Sequence, residues 1–343
     1  MVSIDAALAR IKREWAALLE VEHIEAVCRA VGLKWRRRVL DPVTTTLVFF
    51  LQVLHRNTAM TNLPRLAGRR FTAGAYCQAR QRLPLEALQR LLRESGTPLR
   101  AAAGTMSAAA WRGQRIFLLD GSSCSMPDTR ALQRRYGQPG GQARGCGFPV
   151  AHLLLLVEAD TGLILDVHVG PLRTHDLRAA AELHPYLQAR DILLADRGFC
   201  SYGHVAALWR QGVWVVFRLH QRLQLSHPAP EPTLEQLIRF GPRDALALWH
   251  KPRRCPLTMR PADFAALPET LIVRLVEYSV RRAGYRTRQV RLLTTLLDPQ
   301  RHSVAALAEL YGLRWQIETD FRHLKQTLGL DVLRCRTPDI VEK

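Results

Sequence analysis

The segment YGLRWQIETDFRHLK, Tyr311 to Lys325, holds two patterns at once. Wound as an α-helix, it puts Tyr311, Arg314, Glu318 and Lys325 near about 0°, 300°, 340° and 320°, one narrow polar stripe. Leu313, Ile317, Phe321, Leu324 and Leu328 fall on an adjoining arc between about 200° and 280°, the pattern of a helix packed on a core. One carboxylate therefore stands in a row of side chains suited to phosphate. Gly329 gives a stop at the helix end, and Gly312 a place where the helix can break just after Tyr311. Glu318 with Arg314 at i−4 and Arg322 at i+4 is also the pattern of a surface salt-bridge ladder. On the helix alone that second reading is the stronger, since exposed charge runs are usually solvated faces. Two aspartates earlier in the chain reverse the balance.

Asp120 and Asp196 share a local grammar: four apolar residues (IFLL, ILLA), the aspartate, then a glycine at or near the next position. Each taken alone is as readily a turn opener before glycine. Together they sit where strands of a mixed α/β sheet end, and side chains there face the functional crevice. Glu318 comes from a helix that must pack on that sheet. Two carboxylates about 4 Å apart repel by roughly 4 kcal/mol at an effective dielectric near 20, so a cluster of three calls for a divalent cation. Hard oxygen donors without His or Cys favour Mg²⁺ or Mn²⁺ over zinc. A pair of such ions suits phosphoryl transfer, one activating a water or a 3′-hydroxyl and the other stabilising the leaving oxygen.

The rest of the chain divides around these residues. Residues 1–112 read as helices, with apolar spacings of three and four over Ile4–Leu19, Ile24–Val31, Pro42–Leu54 and Leu85–Leu92. Lys34 to Arg38 is a basic cluster around Trp35. Thr72 can cap a short helix, stopped by Pro84, whose Tyr76, Gln78 and Arg80 either reach a groove as a recognition helix does or belong to an ordinary bundle. Residues 113–219 alternate strand and helix. Strands at Arg115–Leu119, Pro149–Val157 and Leu163–Val169 precede a helix capped by Asp176 and running to Leu187. A strand at Ile192–Ala195, a helix at Tyr202–Trp209 and a strand at Val213–Leu219 follow. Three antiparallel strands and then helical crossovers are the order of a ribonuclease-H-like sheet. Residues 220–298 begin Pro-rich and then carry β-branched and aromatic runs at Ala245–Trp249, Thr270–Val280 and Tyr285–Leu297, a β-rich insertion. Residues 299–343 return to the core, with Ser303 as an N-cap ahead of the Glu318 helix.

Composition agrees with a polyanionic partner. The 343 residues carry a net charge of +19, although 44 arginines against 5 lysines allow codon bias a share of it. Lys325 is one of those lysines, where a compact ammonium is wanted. Seven scattered cysteines without a CxxC pair speak for a reducing cytoplasm and against a disulfide frame or zinc. The apolar run Leu47–Leu54 is too short to span a bilayer, so no membrane segment is expected.

With these residues placed, the chain resembles the DDE transposases of bacterial insertion sequences, in the insertion sequence 4 group whose third motif is Tyr-x2-Arg-x3-Glu-x6-Lys. Asp120-Gly121, Asp196-Arg197-Gly198-Phe199, the four motif positions Tyr311, Arg314, Glu318 and Lys325, and the segment Gln78 to Pro84 carry the likeness. It implies a ribonuclease-H-like catalytic domain behind a helical N-terminal DNA-binding domain. It also implies two divalent ions held by Asp120, Asp196 and Glu318, and phosphate contacts from Tyr311, Arg314 and Lys325, with Arg322 and Arg80 as further DNA contacts. The partners implied are double-stranded DNA, both terminal inverted repeats and target, and a second copy of the chain in the DNA complex. The reaction implied is cut-and-paste transposition through DNA hairpin ends. Relatives stack a flipped base on an insertion aromatic, a role open to Trp249, though a core tryptophan is the better reading. His175 is likewise read as structural before DNA-touching. Members of the group continue past Pro338 into a longer C-terminal helix, so the resemblance also implies a shortened copy. Two other functions stay open: a truncated, non-catalytic DNA-binding copy, or a metal-dependent nuclease of the same fold.

Overall fold

Asp41 and Pro42 start the first long helix of the computed structural model, which describes residues 20–103, 111–141, 143, 147–220, 223, 233–280 and 288–343. The Asp41 carboxylate accepts from the Thr44 N–H at 2.8 Å, and proline fills a first-turn position whose N–H has no partner in any case. The described N-terminal residues form helices joined by turns, with no strand among them: α1 (Val21–Ala30), α2 (Pro42–Leu54), α3 (Leu63–Leu66), α4 (Ala73–Arg82) and α5 (Leu85–Ala103). The expected helix Ile4–Leu19 lies outside the described residues. Thr72 caps α4 as read from the sequence, accepting from Ala75 N at 3.1 Å.

The groove-facing role expected of Tyr76 and Arg80 is not what α4 shows. Tyr76, Ala79, Arg80 and Leu83 form the buried stripe of that helix, with Tyr76 at 0% exposure and Arg80 at 7%. Gln52, the residue that interrupts the apolar run of α2, is their shared partner. Its Oε1 accepts from Tyr76 Oη at 2.9 Å and from Arg80 Nη1 at 3.0 Å. The guanidinium plane also lies over the rings of Phe49 and Tyr76. A long apolar stem and a flat cation let arginine serve as a core residue when its donors are met. Gln78, Gln81 and Arg82 are exposed.

The remainder is built on a nine-stranded mixed sheet, ordered β3-β2-β1-β4-β5-β9-β8-β7-β6. The first five strands are β1 (Ile116–Ser125), β2 (Val150–Glu158), β3 (Ile164–Pro171), β4 (Ile192–Ala195) and β5 (Trp214–Arg218). Strands β1, β2 and β3 pair antiparallel, while β4 lies parallel to β1 and β5 parallel to β4, as the strand order in the sequence requires. The insertion supplies β6 (Leu234–Gly241), β7 (Asp244–His250), β8 (Thr270–Val280) and β9 (Arg288–Thr294). It is no separate layer, because β9 pairs with β5 through Val216 and Thr294 and extends the same sheet. Strand β6 escaped the sequence reading because nearly all of it is exposed, leaving no alternation to detect.

Helices cover both faces of the sheet. Phe117, Leu119, Leu193, Ala195, Val215 and Phe217 point to one core, under α7 (Asp176–Leu183) and α8 (Tyr202–Arg210). Ile116, Leu118, Ile192, Leu194 and Val216 point to the other, with Leu307, Leu310, Ile317 and Phe321 from α10 (Val304–Gly312) and α11 (Trp315–Arg322). The three elements between these are α6 (Arg130–Tyr136), α9 (Pro261–Ala265) and, last in the chain, α12 (Pro338–Glu342). The cap of α7 is His175, whose Nδ1 accepts from Leu177 N, and the helix ends at Leu183 before a 3-10 turn; Asp176 is its first residue, not its cap. Trp249 is 1% exposed and meets the Tyr202 ring edge-on at 5.4 Å, so it is a core residue and unable to hold a base. Among the described residues no helix is long and apolar enough to cross a membrane.

One buried pair gives the fold a pH dependence. The His184 and His204 rings stack at 4.8 Å, and His204 stacks in turn on Phe217. Burial holds His204 down to about 4, against the opposing pull of its Nδ1–H bond to the Phe199 carbonyl. The unfolded chain takes up this proton below about 6.5 and the folded chain does not. This contribution is thus full above about pH 6.5 and lost as pH falls through 4. Thermal melts of the parent and His204→Phe should diverge by on the order of 3 kcal/mol between these limits, the difference isolating His204 from His184 and Asp120, and parallel curves would refute the assignment.

Candidate active site

Strand register brings the two aspartates together. Leu119 of β1 lies beside Ala195 of β4, so the residues that follow, Asp120 and Asp196, are neighbours on strands about 4.8 Å apart. Alternation then fixes their direction. Phe117 and Leu119 face the first core, which sends Asp120 to the opposite face, where α10 and α11 pack. The strand does not end at Asp120, contrary to the sequence reading: Gly121 to Ser125 continue β1 by pairing with Leu154 to Val150. Gly121 is a strand residue with little room for a side chain. A Cβ there would stand 3.2 Å from His152 Nε2, which is held at 2.6 Å by Asp176 Oδ1. Asp196 does open a turn, its Oδ1 accepting from Gly198 N at 2.7 Å.

The third carboxylate reaches the same face by a broken helix. Gly312 ends α10, and Arg314 stands at the N-cap of α11, so the helix breaks where Gly312 allowed it to, and the stretch to Leu328 is completed by α11 and a π turn at His323–Thr327. The break preserves the stripe in altered form. Arg314 donates from Nη2 to Glu318 Oε1 at 2.8 Å and from Nη1 to Asp120 Oδ2 at 3.4 Å, tying the helix to the strand. Tyr311 is buried beside it, its hydroxyl pushed up to about 12 chiefly by burial. Lys325, on the π turn, lies 3.8 Å from Asp331, and Arg322 is exposed. The salt-bridge ladder considered for Glu318 is half present, with Arg314 as the member that forms it.

Two side chains that the sequence reading passed over belong to this surface. Phe217 lies beside Ala195, so Arg218 follows Asp196 in the row across β1, β4 and β5. Its position at the end of an apolar strand parallel to the Asp196 strand was the available signal. Trp315 is 60% exposed in the first turn of α11, with the Arg314 guanidinium 5.0 Å over its ring.

Asp120 is pushed up to about 6, first by burial, then by the charges of Asp196 and Glu318, with the Gly121 N–H and Arg314 pulling the other way. Only oxygen donors and guanidinium face each other here, which fits a hard divalent cation and no soft one. Among the described residues no three His, Cys, Asp or Glu side chains are gathered closely enough to ligate one ion, since the Arg314 guanidinium stands between Asp120 and Glu318. Asp120 itself gives a test. The folded chain keeps its proton up to about 6 and the unfolded chain loses it near about 3.9, so the contribution to stability is present below about pH 4 and lost as pH rises through 6. Asp120→Asn should melt higher than the parent at pH 8, by up to on the order of 2–3 kcal/mol, and equally at pH 4. Equal melting at both values would show that the carboxylate is not under strain.

The model of the Transposase DDE domain matches residues 111–343, and the chain belongs to this family, as a DDE transposase of an insertion sequence. Among individual relatives it is similar to the transposase InsG for insertion sequence element IS4 of Escherichia coli (strain K12). The two are 24% identical over 320 residues, spanning 91% of this chain and 68% of that protein. It is also 26% identical over 366 residues to the transposase for insertion sequence element IS421 of Escherichia coli, spanning 96% of this chain and 89% of the relative. A shorter match, 43% over 51 residues, joins it to a putative transposase InsL for element IS186A of Escherichia coli (strain K12).

Proposed function

We propose that the chain cuts DNA at the ends of an insertion sequence and joins the freed ends to a target, with Asp120, Asp196 and Glu318 as the catalytic carboxylates. The observation behind this reading is the shared face: two aspartates adjacent in register, and a glutamate linked to one of them through Arg314. Two Mg²⁺ or Mn²⁺ ions held by these carboxylates would neutralise the in-line displacement at a phosphodiester. The chain's own residues do the rest. Asp120 and Asp196 are fixed by strand register, while Glu318 is freed for ligation when a DNA phosphate draws Arg314 away, since a guanidinium binds phosphate as well as carboxylate. Arg314, Lys325 and Arg322 then line the strand being cut, with Tyr311 packed behind them.

Residues 1–112 serve as the DNA-binding domain in this reading, 113–219 and 299–343 as the two parts of the catalytic core, and 220–298 as the insertion. The complex on DNA is a homodimer holding terminal inverted repeats and target. The discriminating experiment incubates the protein and Mg²⁺ with duplexes bearing the element ends and a target plasmid. Joined products support transposition. Hydrolysed strands that are never joined would make the chain a nuclease, and binding without cleavage would make it a repressor-like copy.

A further inference from the structure

A groove of about 1020 Å³ opens between α6 and the end of β3, away from the carboxylates. Arg130, Arg134 and Arg173 line it and are exposed. Arg135, also in its wall, is tied to Glu342 of α12 at 2.8 Å. A second basic groove, of about 410 Å³, lies in the helical region and is lined by Lys34, Arg36 and Arg82 among others. The two are linked by the end of α12. Glu342 holds Arg135 in the first, and the adjacent Lys343 donates from Nζ to the carbonyls of Arg80 and Gln81, just before Arg82 in the second. The chain thus carries cationic side chains on both sides of one short helix.

We infer that the groove between α6 and β3 is a phosphate track for duplex DNA, continuous across α12 with the groove of the helical region, so that one duplex occupies both. Three features support DNA over a small anion. The guanidinium groups of Arg130, Arg134 and Arg173 are exposed and outnumber the Asp128 carboxylate that shares the lining, they are spread along a groove and not gathered round a point, and the chain carries a net charge of +19. The continuity with the helical region favours the duplex held there over a separate target duplex. This inference rests on the proposed DNA transposition, but it concerns where the duplex lies and not how it is cut.

Fluorescence anisotropy of the full chain on a mixed-sequence duplex of about three helical turns, read against salt, provides the test. Removing one cation that pairs with a phosphate should lower the slope of log K against log salt by about 0.9. Arg130→Ala with Arg134→Ala and Arg173→Ala should therefore weaken binding at low salt by about tenfold or more and reduce the slope by about 2.7. Lysine at the same three positions should restore most of it, and thermal melts should match the parent. A control lacking Arg239, Arg254 and Arg260, exposed on the insertion, removes the same formal charge. Equal effects in control and groove variants would reduce the groove to a net-charge effect and overturn the inference. Titration above the dissociation constant should give one duplex per chain. Two duplexes per chain, one abolished with the Arg130 set and one with a Lys34, Arg36 and Arg82 set, would overturn the continuity. If the parent bound no duplex at all, the transposition reading itself would fall, whereas intact binding with an unaffected groove variant rejects only this track.

Discussion

Asp120→Ala, Asp196→Ala and Glu318→Ala should each lower strand cleavage and joining by at least about a thousandfold, a loss of about 4 kcal/mol of transition-state stabilisation, while DNA binding is kept. Binding survives because none of these carboxylates attracts phosphate; each repels it, so affinity should stay level or rise slightly. The three differ in what else they disturb. Asp196→Ala removes the acceptor of the Gly198 N–H and loosens its turn, whereas Glu318→Ala frees the Arg314 guanidinium from its 2.8 Å partner. Glu318→Gln separates charge from shape, since it can keep a hydrogen bond to Arg314 but ligates a cation poorly. The measurements are gel-resolved nicking of end duplexes in Mg²⁺ beside anisotropy on the same duplexes. Nicking that persists in all three variants would show that the chemistry lies elsewhere. A loss of cleavage matched by a loss of binding would show damage to the fold.

The sequence made these three residues legible for different reasons. Asp120 and Asp196 follow runs of four apolar residues, and a sheet buried on both faces leaves few positions for such runs except adjacent parallel strands. Glu318 was visible through spacing, because the 3.6-residue period survives even where the helix breaks at Gly312. Register was not visible. The strand order offers β5 parallel to β4, but the pairing of Phe217 with Ala195 that sets Arg218 in the row beside Asp196 is fixed only by the folded sheet. Buried cations misled for a related cause: Arg80 has the composition of a surface residue, and only Gln52, 28 positions earlier, turns it inward. Three of the four insertion strands were read from the sequence, β6 excepted, but the docking of the insertion on β5 depends on a long-range pairing that no periodicity encodes.

Arg274→Met should be the most destabilising single change away from the site, by about 3–5 kcal/mol. Arg274 is 0% exposed in the middle of β8. Its guanidinium meets the Asp244 carboxylate with both arms, Nε to Oδ1 at 2.7 Å and Nη2 to Oδ2 at 2.6 Å. The remaining nitrogen donates to the His302 carbonyl at 2.6 Å and the Asp298 carbonyl at 3.3 Å. A single side chain thereby ties β7 and β8 of the insertion to the loop that feeds α10 and, through it, Glu318. Methionine matches the stem but leaves the Asp244 carboxylate and two carbonyls without their donor. The cost is that of stranding them, not the net worth of the pair. Adding Asp244→Leu should recover much of the loss, because replacing both ions by apolar groups is often close to neutral. Chemical denaturation of the parent, the single and the double variants measures both steps. Because Arg274 anchors the approach to α10, the single variant should also lose cleavage activity before it unfolds, as Glu318 drifts from the aspartates. A single variant within about 1 kcal/mol of the parent would mean that the clamp is dispensable, and that the insertion is held by the pairing of β9 with β5 and by the packing of Val276 and Leu292 against α10.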